Sequence, residues 1–191
     1  LVRNIQPRVV VEVGAFAGIS AHWIAGALLE FAEGQPADLS AAPRLHVFDL
    51  FDPIRKGPWR EAELLEDRAE WILGRLRRAG LDHLVMLHRG DSGTMISRMR
   101  AELEAAGGVQ LAFIDGDHTP AGVLRDFRAI EPVLNTGGYV LLHDTIPAQC
   151  THAGPRKLLD TIDEVGAGRY ERMDLYSAPL NYGLGLLRRI G

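Results

Sequence analysis

Short β-branched or apolar runs alternate along this chain with longer amphipathic stretches, and that alternation most constrains its fold. "RVVVEV" (8–13), "RLHVFDL" (44–50), "HLVMLHRGD" (83–91), "VQLAFIDGD" (109–117) and "GGYVLLHD" (137–144) read as strands. Between them, "GISAHWIAGALLEFAEG" (18–34) and "EAELLEDRAEWILGRLRRAG" (61–80) read as helices, each with a glycine stop. "SGTMISRMRAELEAAGG" (92–108) and "GPRKLLDTIDEVG" (154–166) are two more helices, and "TPAGVLRDFRAIEPVL" (119–134) opens with a threonine cap and a proline in its first turn. Strands separated by helices pair in parallel through right-handed crossovers, which predicts a doubly wound α/β sheet with helices on both faces. "YERMDLYS" (170–177) and "NYGLGLLRR" (181–189) follow each other too closely for a crossover and predict an antiparallel pair at a sheet edge.

A length of 191 residues suits one such domain over 1–191 and is too short for two. The net charge of −4 supplies no basic field, so neither nucleic acid nor an anionic membrane is an expected partner. No apolar run approaches the ~20 residues of a membrane span, and no secretory pattern opens the chain. Cys150 stands alone, which excludes an internal disulfide and fits a reducing compartment; the expected location is cytoplasmic. Because the chain opens on Leu1 just ahead of its first strand, upstream residues are expected, a substrate-covering helix among them. Of two polar insertions, "GQPADLSAAP" (34–43) is expected on the remote face. "FDPIRKGPW" (51–59) leaves a strand's carboxyl end, where open α/β sheets bind ligands, and is a candidate lid.

The chemistry-bearing residues gather at those carboxyl ends. In "VVEVGAFAGIS" the strand closes on Glu12, and Gly14 and Gly18 flank the turn into a helix, with Phe16 between them. Glycines there permit positive φ and close approach of backbone to a ligand over the helix N-terminus. The spacing is G-x-x-x-G and not the G-x-G-x-x-G of nicotinamide enzymes, which weighs against a dehydrogenase. Asp49 ends the second strand, where an acid can accept both hydroxyls of a ribose. "HRGDSGT" (88–94) matches the surroundings of a chymotrypsin-like nucleophile, but that fold is all-β and Ser92 lies between a strand and a helix. Asp91 and Ser92 read instead as helix caps that could also meet an adenine edge.

Asp115 ends the fourth strand and His143–Asp144 the fifth, so neighbouring strand ends bring the two carboxylates into one crevice. Two carboxylates with open positions suit a hard divalent cation. Side-chain alternation along a strand means that His143 and Asp144 need not face the same pocket. His118, just past Asp115, is a surface or capping histidine or a general base near neutral pH.

Taken together, "VVEVGAFAGIS", "FDL", "GDS", "FIDGDHTPAGVLRDF" and "GGYVLLHDT" make the chain resemble the class I S-adenosylmethionine-dependent methyltransferases over roughly residues 9–145. It looks most like the branch of macrolide sugar O-methyltransferases and cephalosporin-biosynthesis methyltransferase-like proteins, which belongs to natural-product biosynthesis. The resemblance implies a Rossmann-like, mostly parallel seven-stranded sheet with an antiparallel last strand. It also implies S-adenosyl-L-methionine as cofactor, with Glu12, Gly14, Phe16 and Gly18 around its methionine part and Asp49 on the ribose. Asp91 and Ser92 would then lie near adenine, with Asp115 at the same cofactor site. In metal-using relatives, residues at the positions of Asp115, His143 and Asp144 hold Mg2+, and a histidine at the position of His118 is the base. This chain departs at His143, where those relatives carry a carboxylate. The alternatives are Mg2+ held by Asp115 and Asp144 with water, a softer metal, or none; the first is preferred.

The expected reaction is methylation of a hydroxyl on a small-molecule or sugar acceptor. Asp115 would hold the metal and His118 take the proton, with Asp117 orienting either of them or the loop. Residues 51–60 and 145–156 are expected to line the acceptor pocket, without a readable specificity code. A homo-oligomer is compatible with the sequence. Rival readings are a non-catalytic S-adenosylmethionine-binding module, which would need neither His118 nor Asp144, an NAD-dependent dehydrogenase, and a phosphoacceptor receiver domain.

Overall fold

The computed structural model describes residues 1–32, 42–55, 66–176 and 182–191. Among these, the strands are β1 Val9–Val13, β2 Arg44–Asp49, β3 Val85–Arg89, β4 Val109–Ile114, β5 Leu134–His143, β6 Tyr170–Leu175 and β7 Leu184–Arg189. The helices are α1 Val2–Ile5, α2 Ile19–Ala32, α3 Arg68–Arg78, α4 Ser92–Arg98, α5 Arg100–Ala105, α6 Pro120–Ile130, α7 Pro147–Cys150, α8 Gly154–Asp160 and α9 Ile162–Val165. The strands form one seven-stranded sheet in the order β3-β2-β1-β4-β5-β7-β6. Strands β1 to β5 pair in parallel, while β7 runs antiparallel to both β5 and β6. The pair expected at the sheet edge is there, with β7 slotted inside and β6 outermost.

β1 is buried along its whole length, because helices cover both faces of the sheet. On one face Val10, Leu45 and Val47 meet Leu28 of α2 and Ile72 and Leu76 of α3. On the other, Val11, Val13 and Phe48 meet Ile96, Phe127 and Leu158. A fully buried large apolar side chain such as Phe127 stabilises the fold by about 1.5–3 kcal/mol, so these layers fix the strand ends firmly.

Two expected helices are interrupted. The 92–108 stretch breaks at Met99, and the 154–166 stretch at Thr161. Near both breaks a hydroxyl turns back on its own helix: Ser97 Oγ donates to the Gly93 carbonyl at 2.7 Å and Thr161 Oγ1 to the Lys157 carbonyl at 2.8 Å. Such i−4 bonding competes with the backbone ladder and bends helices. Within the described residues α3 starts at Arg68, where the Asp67 side chain caps it by accepting from the Glu70 amide. Residues 60–65, most of the 34–43 insertion and residues 56–59 of the expected lid lie outside the described residues.

No helix among the described residues is long and apolar enough to cross a membrane. The strand order reverses between β1 and β4, and the crevice at that switch point is where ligands bind in such sheets.

Candidate active site

At the switch point the chain runs so close to itself that glycine is obligatory. The Gly14 amide donates to the Phe48 carbonyl and the Asp115 amide to the Val13 carbonyl, each at 2.9 Å, tying β1 to β2 and β4. A Cβ at Gly14 would run into the Asp115 carbonyl and stand 2.7 Å from Gly116 Cα, at a φ of +89°. Gly18, at φ +75°, faces Ile72 in the same way, so its glycine serves packing against α3. Above this turn opens a cavity of about 750 Å³, the size of a small-molecule site. Gly14, Phe16, Asp49, Asp91 and Ser92 line it from the β1, β2 and β3 ends, and Asp115, His118, His143, Asp144 and His152 from the β4–β5 side. The structure therefore brings together nearly all the residues singled out in the sequence. Glu12 and Gly18 are set back from the cavity wall.

Glu12 is fully buried on the α2 side of β1, where Ser20 Oγ donates to its Oε1 and its Oε2 has no hydrogen-bond partner. Burial pushes its pKa up to about 8, and Asp115 and Asp49 add to the rise against the Ser20 bond, so it is largely neutral at pH 7.

Asp49 is held from three sides. Its Oδ2 accepts from the Ala15 amide at 2.8 Å and its Oδ1 from the Phe51 amide at 2.5 Å and from Arg68 Nη2 at 2.6 Å. Arg68 also donates from Nε to the Asp52 carbonyl at 2.7 Å and from Nη1 to the Phe16 carbonyl at 2.8 Å. The ion pair is buried, with side chains only 7% and 10% exposed. Arg68 thus locks Asp49, the glycine turn and the segment after β2 into one unit. A carboxylate has about four lone-pair positions, and the fourth is met by Arg68 Nη1 at 3.4 Å from Oδ2, so a ligand hydroxyl on Asp49 would replace this longest contact. No spacing in the sequence marked Arg68, because its partner lies on another element.

At the β3 end, Asp91 caps α4 by accepting from the Thr94 amide at 2.9 Å, and hydrogen bonds from the Thr94 side chain and amide lower its pKa. Ser92 Oγ donates to Asp126 Oδ1 at 2.6 Å. Asp126, on α6, lies inside the "FIDGDHTPAGVLRDF" stretch but was not singled out from it. It is buried with Oδ2 unpartnered, and burial raises its pKa to about 6.

The opposite side of the cavity holds the acid and histidine cluster. His118 Nε2 lies 3.1 Å from Asp115 Oδ1 and 3.3 Å from Asp144 Oδ2. His143 Nδ1 lies 3.2 Å from Asp115 Oδ1 and 3.0 Å from Asp144 Oδ1. His143 and Asp144 do face one pocket: Asp144 has a φ of +58°, which breaks the alternation of the strand that ends at His143. Hydrogen bonds to Asp115 and Asp144 push His143 up to about 10, which makes it a cation between two carboxylates. The bond to Asp115 likewise raises His118. Burial raises Asp115, but its bonds to both histidines outweigh this and leave it below the ordinary range. Asp117 serves the loop: its Oδ1 accepts from the Thr119 amide at 2.9 Å, and Thr119 in turn caps α6.

His152 is the third residue that sequence reasoning did not single out, although it falls in the 145–156 stretch expected around the acceptor. The Gly154 amide donates to the His118 carbonyl at 3.0 Å, and a Cβ at Gly154 would stand 2.6 Å from the Thr119 carbonyl. This close passage stacks the His152 ring on His118, with centroids 4.4 Å apart.

A family model for methyltransferase domains matches residues 11–145, which include the carboxyl ends of all five parallel strands. No curated protein sequence matches the chain. Among solved structures it is similar to the O-methyltransferase TomG from Streptomyces achromogenes, involved in tomaymycin synthesis and solved in complex with S-adenosylmethionine. Identity there is 21% and the TM-score 0.67, over 100% of this chain and 76% of that one. Cofactor-bound Rv0187 from MTB matches at 19% identity and TM-score 0.68, over 97% of this chain and 74% of that one. The O-methyltransferase from Bacillus cereus in complex with S-adenosylhomocysteine matches at 16% and 0.64, over 97% and 74%. The chain belongs to the methyltransferase-domain family, and its fold is that of the class I S-adenosylmethionine-dependent O-methyltransferases.

Proposed function

We propose that this protein moves a methyl group from S-adenosylmethionine to a hydroxyl of a small-molecule or sugar acceptor, with His118 as general base and a divalent cation assisting. The observation that carries this reading is the position of His118, whose Nε2 lies 3.1 Å from Asp115 and 3.3 Å from Asp144 on the wall of the cavity that Asp49 and Ser92 also line. The donor supplies a methyl on a sulfonium, already joined to its leaving group. What remains for the chain is alignment and deprotonation. As the acceptor oxygen takes the methyl, the C–S bond breaks and the hydroxyl proton passes to His118. The imidazolium that results is stabilised by Nε2–H facing Asp115 and Asp144.

The cation reading rests on the donor set. Asp115, His143 and Asp144 each offer a ligand atom within 4.8 Å of the others, and the buried Asp144 Oδ1 is faced by His143 Nδ1 at 3.0 Å. Two carboxylate oxygens converging on one point fit a divalent ion, which would polarise the acceptor hydroxyl. A second reading rests on His143 itself. Its Nδ1 sits at hydrogen-bond distance from both carboxylates, so an imidazolium can stand in for the ion. Calorimetry with S-adenosylhomocysteine, paired with mass-spectrometric assay over hydroxylated acceptors, tests the proposal. His118→Ala should keep cofactor affinity and lose roughly 10²–10⁴ in kcat; near wild-type turnover would move the base elsewhere, His143 first.

A further inference from the structure

We propose that His118, Asp144 and His152 form a second cation site, distinct from the Asp115–His143–Asp144 set, for a borderline transition ion such as Zn2+. Asp144 divides its carboxylate between the two sets. Oδ1 faces His143, and Oδ2 lies 3.3 Å from His118 Nε2 and 3.7 Å from His152 Nε2. At 3.7 Å the second of these is too long for a hydrogen bond. Both separations instead match the edge of a coordination tetrahedron, which is ~3.4 Å for metal–ligand bonds of ~2.1 Å. All three donor atoms lie within 4.8 Å of one another, and Asp144 is only 6% exposed.

The site is held in place before any ion arrives. The rings of His118 and His152 stack at 4.4 Å with 16° between their planes, which brings both Nε2 atoms to the same side, at Asp144. The backbone bond from Gly154 to the His118 carbonyl fixes the segment that carries His152. Asp144 itself is held in the left-handed region at φ +58°. Two imidazoles and one carboxylate leave a fourth tetrahedral position open to water or a ligand. Imidazole nitrogen favours zinc, cobalt or nickel, while magnesium demands oxygen, so the two sets differ in the ion they select. Ligation uses the Nε2 lone pair of His118. Resting on the base role proposed above, a filled site therefore stops proton abstraction, and the ion acts as an inhibitor.

The test uses the whole chain, stripped with chelator and titrated with Zn2+ by calorimetry, alongside His152→Ala and His152→Gln. S-adenosylhomocysteine binding serves as the fold check. The His152 side chain is 42% exposed, so these substitutions leave the core untouched. Each variant should bind Zn2+ at least tenfold more weakly. The zinc concentration that halves each variant's own zinc-free rate should rise by a similar factor. Mg2+ affinity should stay within twofold of wild type. Equal zinc affinity in wild type and both variants overturns the site. Zinc binding that depends on His152 but leaves turnover untouched upholds the site and overturns His118 as base.

Discussion

Arg68→Met tests whether the Arg68–Asp49 pair is the bolt that holds the cofactor end of the cavity together. Methionine keeps much of the length of the arginine stem and removes the guanidinium. Four contacts disappear together: two to Asp49, at 2.6 and 3.4 Å, and those to the carbonyls of Phe16 and Asp52. Asp49 keeps its two amide donors but loses its counter-charge at a position where the side chain is 10% exposed. Removing one partner of a buried ion pair costs about 3–5 kcal/mol, because the other charge stays behind unpaired. For a domain of this size that corresponds to a Tm lower by about 10 °C. Asp49→Asn should also destabilise, since it strands Arg68. The double variant should be about 2 kcal/mol more stable than the two single effects predict by addition. Urea unfolding of the four proteins supplies the cycle. The increase in Tm on adding S-adenosylhomocysteine should shrink in Arg68→Met as well, because the turn at Phe16 loses its anchor. A single-variant Tm within about 2 °C of wild type, or additive free energies in the cycle, would refute the reasoning.

Three further outcomes are expected. Gly14→Ala should destabilise by about 2 kcal/mol or more, from positive φ plus collision with the Asp115 backbone, and should lower cofactor affinity; a Tm unchanged by it would show that β1 and β4 can separate freely. His46 is buried, 3.1 Å from His88, and burial drops its pKa from 6.5 to about 4. The unfolded chain then takes up that proton first, so stability should be whole above about pH 6.5 and fall by about 3 kcal/mol as pH approaches 4. Urea midpoints for wild type and His46→Phe across that range check this, the variant showing the shallower decline. Finally, chelated enzyme should retain cofactor binding, and its residual turnover should rise with pH through a value above the ordinary 6.5 of histidine, since Asp115 raises His118 and only the neutral imidazole accepts a proton. Added Mg2+ should move that limb downward, and a limb indifferent to both would remove His118 from the reaction.

The sequence by itself determined the elements and their pairing sense. Apolar runs split by amphipathic stretches leave a doubly wound parallel sheet as the solution, and parallel pairing puts Gly14, Asp49, Asp115 and Asp144 at strand ends along one edge. Those positions were legible because strand ends and glycine turns are local signals. Contacts across elements were not. Arg68 reads as one more basic residue of an amphipathic helix until α3 packs on β2 and brings it to Asp49. Asp126 falls inside "FIDGDHTPAGVLRDF", but nothing local marks its partner, and it holds Ser92 from a neighbouring helix. His152 reaches His118 only because Gly154 lets two loops touch. Period-two alternation left open whether His143 and Asp144 share a pocket, and the left-handed backbone at Asp144 turned both inward. Two helices drawn as continuous from their apolar spacing were cut where a hydroxyl returned to its own backbone. Periodicity encodes which face of an element is buried; the side chain that it meets there is set by packing between segments far apart in the chain, which no local pattern specifies.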